Sequence, residues 1–265
     1  MYSAIQLVKK YVHYYINASS SKGHGVHSPF VFDFITNVLN DRTAYDCYDS
    51  IEEQRKQLLS NAKVIKVEDF GAGSAVIKTN RRVVHKIASS SLKHSKYARL
   101  LYRIVQHYRP YNIIELGTSF GISTAYMANA NPEAMVYTLE GAASIAEIAR
   151  QNFEMLAIKN IQLREGSFEQ TLQPLLSEVQ NVGLAFVDGN HRKEPTLQYF
   201  RQLVSHSTSA TILVFDDIHW SEEMEEVWAE IRQHPAVTLT IDLFFIGLVF
   251  LNPDFKIKQH FKIRF

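Results

Sequence analysis

From Tyr111 onward one pattern recurs: a short apolar run, then a longer stretch with helical spacing. The runs cover 112–116, 135–140, 161–165, 182–188 and 211–216, and the helical stretches cover 122–130, 143–156, 168–179 and 194–205. Each run suits a buried strand, and repeated strand–helix units form a parallel sheet covered on both faces. The ending differs. After a helix over 222–234, apolar runs at 236–242 and 245–251 follow with almost nothing between them, so they must pair antiparallel. The expectation is an α/β fold: a doubly wound sheet of seven strands, mostly parallel, with the last strand antiparallel.

Residues 1 to about 108 show little strand patterning and read as helices joined by polar turns. Helices are predicted over 2–16 and 29–39, the second with Ser28 as N-cap and Pro29 at its first position. Residues 18–25 and 68–80 are soft connections, the latter containing Gly71-Ala72-Gly73-Ser74. In 94–108 the apolar spacing of Tyr97, Leu100, Leu101, Ile104, Val105 and Tyr108 marks an amphipathic helix. The division drawn is a helical N-terminal extension over 1–93 and a binding domain over 94–265. The tail alternates Lys256, Lys258, Lys262 and Arg264 with Ile257, Phe261, Ile263 and Phe265, as an amphipathic edge segment does.

The bulk numbers exclude several classes. With 28 basic against 27 acidic residues, the chain offers no electrostatic footprint for nucleic acid or an anionic membrane. Cys47 is the single cysteine, so no disulfide framework or cysteine metal cluster is expected, and a reducing cytoplasm is the natural compartment. The longest apolar run, 243–251, is about half the length of a membrane-spanning helix.

In a doubly wound sheet, ligands bind beyond the carboxyl ends of the strands. The first such end reads Glu115-Leu116-Gly117-Thr118-Ser119-Phe120-Gly121-Ile122-Ser123. Gly117 and Gly121 permit close backbone approach, and the helix that follows offers free N–H groups to an anion. Ser119 stands where a dinucleotide fingerprint needs its second glycine. The next strand ends at Glu140, where a carboxylate can accept both hydroxyls of an adenosine ribose.

Glu115-x-Gly117-x-x-x-Gly121 followed by Glu140 resembles motifs I and II of the class I S-adenosylmethionine-dependent methyltransferases. Glu165-Gly166-Ser167-Phe168 is similar to that family's adenine-side loop, and Phe186-Val187-Asp188 to its acidic position after strand four. The nearest branch is that of small-molecule O-methyltransferases related to catechol O-methyltransferase, over roughly residues 94 to 252. The resemblance implies a Rossmann-like fold and S-adenosylmethionine as cofactor. It places Glu115, Gly117, Thr118, Ser119, Gly121 and Ser123 at the methionine portion, Glu140 and Gly141 at the ribose, and Gly166, Ser167 and Phe168 at the adenine. Asp188 also borders the cofactor. It further implies a small-molecule methyl acceptor, with no nucleic-acid or membrane partner.

Two devices for deprotonating the acceptor remain open. Asp188, Asp216 and Asp217 occupy the positions where catechol-type enzymes carry two Asp and an Asn around Mg2+, with Asp217 in place of the Asn. The other device is a base. His191 follows Asp188 by three residues, and His219 follows Asp217 by two. Asp188 and His191 are therefore the catalytic candidates. In the N-terminal third, His24, His27, Asp69, Arg81, Arg82, His85 and Lys93 belong either to an acceptor lid, to ordinary packing helices or to a homodimer surface. Two rival readings stand beside methyl transfer. A methyltransferase-like fold can serve as a non-catalytic binding or scaffold protein. Gly117-Thr118-Ser119-Phe120-Gly121 also fits the nucleophile elbow of α/β-hydrolases, with Asp188 or Asp216 and then His219 in triad order. Against the hydrolase, residues 1–110 lack the strands that precede such an elbow, and Glu140 would have no purpose.

Overall fold

The computed structural model describes residues 1–67 and 80–265. Asp69 and the Gly71-Ala72-Gly73-Ser74 segment lie outside the described residues. In chain order the helices and strands are α1 (Ala4–Asn17), α2 (Pro29–Phe34), α3 (Cys47–Ser60), β1 (Val64–Lys66), β2 (Arg81–Val83), α4 (Val84–Ser91), α5 (Ser95–Tyr108), β3 (Asn112–Leu116), α6 (Ile122–Ala130) and β4 (Met135–Glu140). The chain continues with α7 (Ala143–Met155), β5 (Ile161–Glu165), α8 (Phe168–Val179), β6 (Val182–Val187), α9 (Lys193–Ser205), β7 (Ser207–Asp216), α10 (Glu222–Gln233), β8 (Leu239–Asp242), β9 (Ile246–Phe250) and β10 (Gln259–Lys262). A π-helical turn over Ile35–Leu39 extends α2. No helix among the described residues is long and apolar enough to cross a membrane.

Packing divides the chain into two compact units, Arg42–Glu178 and Met1–Asp41 with Val179–Phe265.

In the unit Arg42–Glu178, β3, β4 and β5 run parallel in that order, with Ile113 beside Val136 and Thr138 beside Leu163. β3 is buried along its whole length, which explains its unbroken apolar character. α6 buries every residue from Ile122 to Ala128 and is an interior helix. α5 turns Leu100, Leu101, Ile104 and Val105 inward, each contributing about 1.5–3 kcal/mol relative to exposure. His94 caps this helix through its ring, which accepts from the backbone N–H of Lys96. One expectation fails in this unit. β1 and β2 pair antiparallel, Ile65 opposite Arg82, where helices and turns had been read. Three-residue strands are too short to show a two-residue period in sequence.

In the other unit the strand order is β10-β8-β9-β7-β6. β6 and β7 are parallel, β9 is antiparallel to both β7 and β8, and β10 is parallel to β8. The strands from β3 to β10 therefore number eight rather than seven, and the pairing is mostly parallel. The additional strand comes from the amphipathic tail. The antiparallel member is β9, the seventh strand of the count and the run expected to be so, and the additional β10 that follows is parallel to β8. α2 begins as read, with Ser28 accepting from the N–H of Val31 and Pro29 in the first turn. Gly247 in β9 has no room for a side chain, because a Cβ there would lie 2.6 Å from the Trp228 ring of α10. The sheet and α10 thus approach more closely than a larger residue would permit.

Candidate active site

Residues just beyond the strand ends take backbone conformations that side chains resist. Ser119 after β3, Asn190 and His191 after β6, Asp217 after β7 and Phe244 after β8 have φ of 48°, 69°, 44°, 54° and 70°. A left-handed non-glycine residue costs about 1–3 kcal/mol, and such positions gather at ligand sites. Here they mark the carboxyl ends of the strands, where an α/β sheet holds its ligands.

The turn after β3 is anchored from beneath by Glu115. This carboxylate is fully buried and accepts from three hydroxyls: Ser123 at 2.6 Å, Thr138 at 2.6 Å, and Thr124. Thr118 joins the same network through Thr138, 2.6 Å away. Glu115, Thr118 and Ser123 were expected at the methionine portion of a cofactor. Their side chains instead bind one another beneath the turn, tying β3, α6 and β4 together. In the turn itself Gly117 and Ser119 are half-buried, while Thr118 and Phe120 are buried. Gly117 has φ 104°, and its N–H reaches the carbonyl of Leu139 on β4 at 3.0 Å.

Glu140 ends β4 and holds the turn from the side. Its Oε2 accepts the N–H of Ser119 at 2.9 Å, and its Oε1 accepts that of Ala142 at 2.9 Å. Burial pushes its pKa up, opposed by the N–H groups of Ala142, Ser119 and Gly141. The loop after β5 is tied to the same strand end, with the Gly166 N–H donating to the Glu140 carbonyl at 3.0 Å. Ser167 and Phe168 follow, half-buried at the start of α8. The expected ribose and adenine residues are thereby brought together around the end of β4. Sequence reasoning missed Ser91, whose hydroxyl lies 2.8 Å from that of Ser119. A hydrogen bond spanning 28 residues leaves no local signature.

In the second unit Asp188, His191 and Asp216 converge, with one ligand atom of each within 4.8 Å of the others. His191 Nε2 lies 3.5 Å from Asp188 Oδ1. Asp216 is buried and the other two are half-buried. Asp217, expected as the third metal ligand, is not in this group. Its left-handed backbone is pinned by its N–H on the Phe245 carbonyl, 2.6 Å away, and the imidazole of His191 takes the third place.

His219 is structural. Nδ1 faces Glu225 at 3.0 Å, Nε2 faces Asp242 at 3.0 Å, and the ring stacks on Phe244. Glu225 is also held by Tyr2 at 2.9 Å and Lys10 at 2.8 Å, which fixes α1 on α10. With both nitrogens occupied, His219 has none to lend a serine, and the Ser119 hydroxyl pairs with Ser91. The hydrolase triad is therefore not assembled.

The chain is similar to several known proteins. Residues 114–218 match the model of a family described as a methyltransferase domain. A catechol O-methyltransferase of Niastella koreensis is 31% identical over 133 residues, covering 49% of this chain and 58% of that protein. The chain thus spans a little over half the length of this curated relative. Among solved structures, an SAH-bound methyltransferase of Podospora anserina aligns with TM-score 0.59 at 14% identity, over 85% of this chain and 97% of that one. An O-methyltransferase of Bacillus cereus in complex with SAH aligns with TM-score 0.54 at 19% identity, over 83% and 97%. At these identities the structural likeness speaks for the fold, which is the Rossmann-like fold of those methyltransferases. Residues 114–218 are thus similar to a methyltransferase domain, and the fold is the one those methyltransferases share.

Proposed function

We propose that the protein transfers a methyl group from S-adenosylmethionine to an oxygen of a small hydroxylated molecule. The observation that carries this reading is the carboxylate of Glu140, clamped by the N–H of Ser119 from the Gly117–Gly121 turn at the end of the neighbouring strand. The residues fit the cofactor. Glu140 accepts the N–H of Ser119 on one oxygen and that of Ala142 on the other, with Gly141 as a further donor, and its four lone-pair sites leave capacity for a ribose hydroxyl. The half-buried turn at Gly117 and Ser119 would lie at the methionine end, and Ser167 and Phe168 would border the base. The sulfonium of the bound cofactor supplies an electrophilic methyl, which leaves the protein to align the acceptor and remove its proton. Oxygen as the acceptor atom accords with the relative named a catechol O-methyltransferase.

For the proton, Asp188, His191 and Asp216 fit a divalent cation. The two carboxylates suit Mg2+, and the imidazole favours ions such as Mn2+ and beyond in the same series. An ion held there would lower the pKa of an acceptor hydroxyl. The expected result is an activity loss of at least about tenfold in chelator, restored by Mg2+ or Mn2+. Full activity in chelator removes the ion from this reading and leaves His191, oriented by Asp188, as the base.

Glu140→Ala is expected to weaken S-adenosylhomocysteine binding by about 10–100-fold in calorimetry, the worth of charge-assisted hydrogen bonds of about 1.5–3 kcal/mol. A pH dependence accompanies it. Burial raises the Glu140 pKa, so the folded protein holds this proton more tightly than the unfolded chain. The residue's contribution to stability is therefore fully present below the unfolded value of about 4.5 and is lost as pH rises through the folded one. Ribose binding needs the ionised carboxylate and runs the opposite way. Affinity should weaken as pH falls from 7, at a higher pH than an exposed glutamate would produce. Equal affinity at pH 7 and 5, or an unchanged Glu140→Ala variant, would remove Glu140 from the site.

A further inference from the structure

A cavity of 280 Å3 lies against β8 and β10, among residues that the proposed reaction does not use. Three basic side chains reach it: Arg232 from α10, and His260 and Lys262 from β10. The parallel register sets His260 beside Thr240 and Lys262 beside Asp242, so all four project from one face. Asp242 is the acid of this lining, and both its oxygens are engaged, one by His219 at 3.0 Å and one by the Phe244 N–H at 2.8 Å. The carboxylate is therefore committed elsewhere, and within the wall His260 meets the neutral Thr240 hydroxyl, 2.8 Å from its Nδ1.

Arg232 makes the need for an anion explicit. Its Nε is buried and has no hydrogen-bond partner among the described residues. A buried guanidinium N–H without an acceptor is rare in folded proteins, because its lost hydration goes uncompensated. The His260 ring carries the same imprint. Burial, then the positive charges of Arg232 and Lys258, hold its pKa below the usual imidazole value.

We propose that this cavity binds the phosphate group of a small phosphorylated molecule, held by Arg232, His260 and Lys262. A monoester carries about 1.5–2 negative charges near neutral pH, which matches the two cations Arg232 and Lys262, with His260 as a further donor, better than a single carboxylate does. The volume approaches the lower end of small-ligand sites, about 300 Å3. The site is separate from the acidic cluster. Asp242 pairs with Gly247 and Gly247 with Phe215, so the cavity shares a face with Phe215 while Asp216 projects to the other. Its test requires no methyl transfer.

The experiment titrates the full chain with glycerol 3-phosphate, inorganic phosphate and chloride at matched ionic strength, by calorimetry and by NMR of the His260 ring. The ring signal is assigned with His260→Gln. The expected result is saturable binding of the ester, tighter than inorganic phosphate, with a rise in the His260 pKa. That ring titrates facing Arg232, Lys258 and Lys262 as cations and Asp242 as the anion. Arg232→Gln and Lys262→Gln should each weaken the ester about tenfold or more. Lys262 is exposed, so its variant keeps the test decisive should Arg232→Gln fold poorly. Binding without saturation, an equal response to chloride, binding of inorganic phosphate alone, or full affinity in Lys262→Gln would each overturn the proposal.

Discussion

Gly121→Ala is expected to destabilise the protein by about 3–5 kcal/mol, the sum of a left-handed backbone penalty and an overpacked contact. Gly121 is the N-cap of α6 with φ 79°, a conformation that alanine enters at about 1–2 kcal/mol. The added Cβ would also lie 2.5 Å from Phe153 Cζ and closer still to its Cε1. Phe153 is buried in α7, so either the ring or the turn must move. Movement of the turn displaces Ser119, whose N–H sits on Glu140. The loss of stability should therefore come with a loss of cofactor affinity in whatever fraction remains folded. For a chain of this size the melting temperature should fall by roughly 6–20 °C. A melting point within about 2 °C of the parent would mean that the turn does not pack on α7 as described.

Glu115 separates two roles that its position in the motif leaves merged. Glu115→Ala removes the acceptor from three buried hydroxyls, Ser123, Thr124 and Thr138, at about 1–3 kcal/mol for each group left unsatisfied. The expected loss is about 3–5 kcal/mol in urea unfolding, less than a simple sum because a cavity of this kind can admit water. Glu115→Gln keeps one acceptor oxygen and offers an amide that hydroxyls can accept from, so it should cost roughly 1–2 kcal/mol. The folded glutamine variant should then bind S-adenosylhomocysteine within about threefold of the parent, because the side chain supports the turn without touching the ligand. A loss of tenfold or more in a stable glutamine variant would show that Glu115 reaches the cofactor directly.

The strands and helices between residues 112 and 250 were legible because each is long enough to complete its own period, and the central strands β3, β6 and β9 are buried throughout. β3, β4, β5, α6 and α8 fall where their apolar runs and helical spacing put them. The Gly117–Gly121 turn and Glu140 were legible as well, since glycine at positive φ and a carboxylate at a strand end are local facts of chain geometry. By itself the sequence determined the α/β class, the ends of the strands and the glycines of the turn.

Other features depended on which side chains meet across distance, and sequence spacing does not encode that. The β1–β2 pair and β10 are short segments stabilised by their partners rather than by their own composition. Glu115 read as a ligand group until folding surrounded it with hydroxyls from α6 and β4. Asp217 follows Asp216 directly, yet a left-handed backbone excludes it from the cluster, and His191 enters through an equally left-handed loop. His219 lost its candidacy to two carboxylates, 6 and 23 residues away in sequence. A motif specifies where the backbone turns. Only tertiary packing decides which side chains are consumed in holding that turn and which remain for chemistry, because hydrogen-bond partners are chosen by proximity in the folded state.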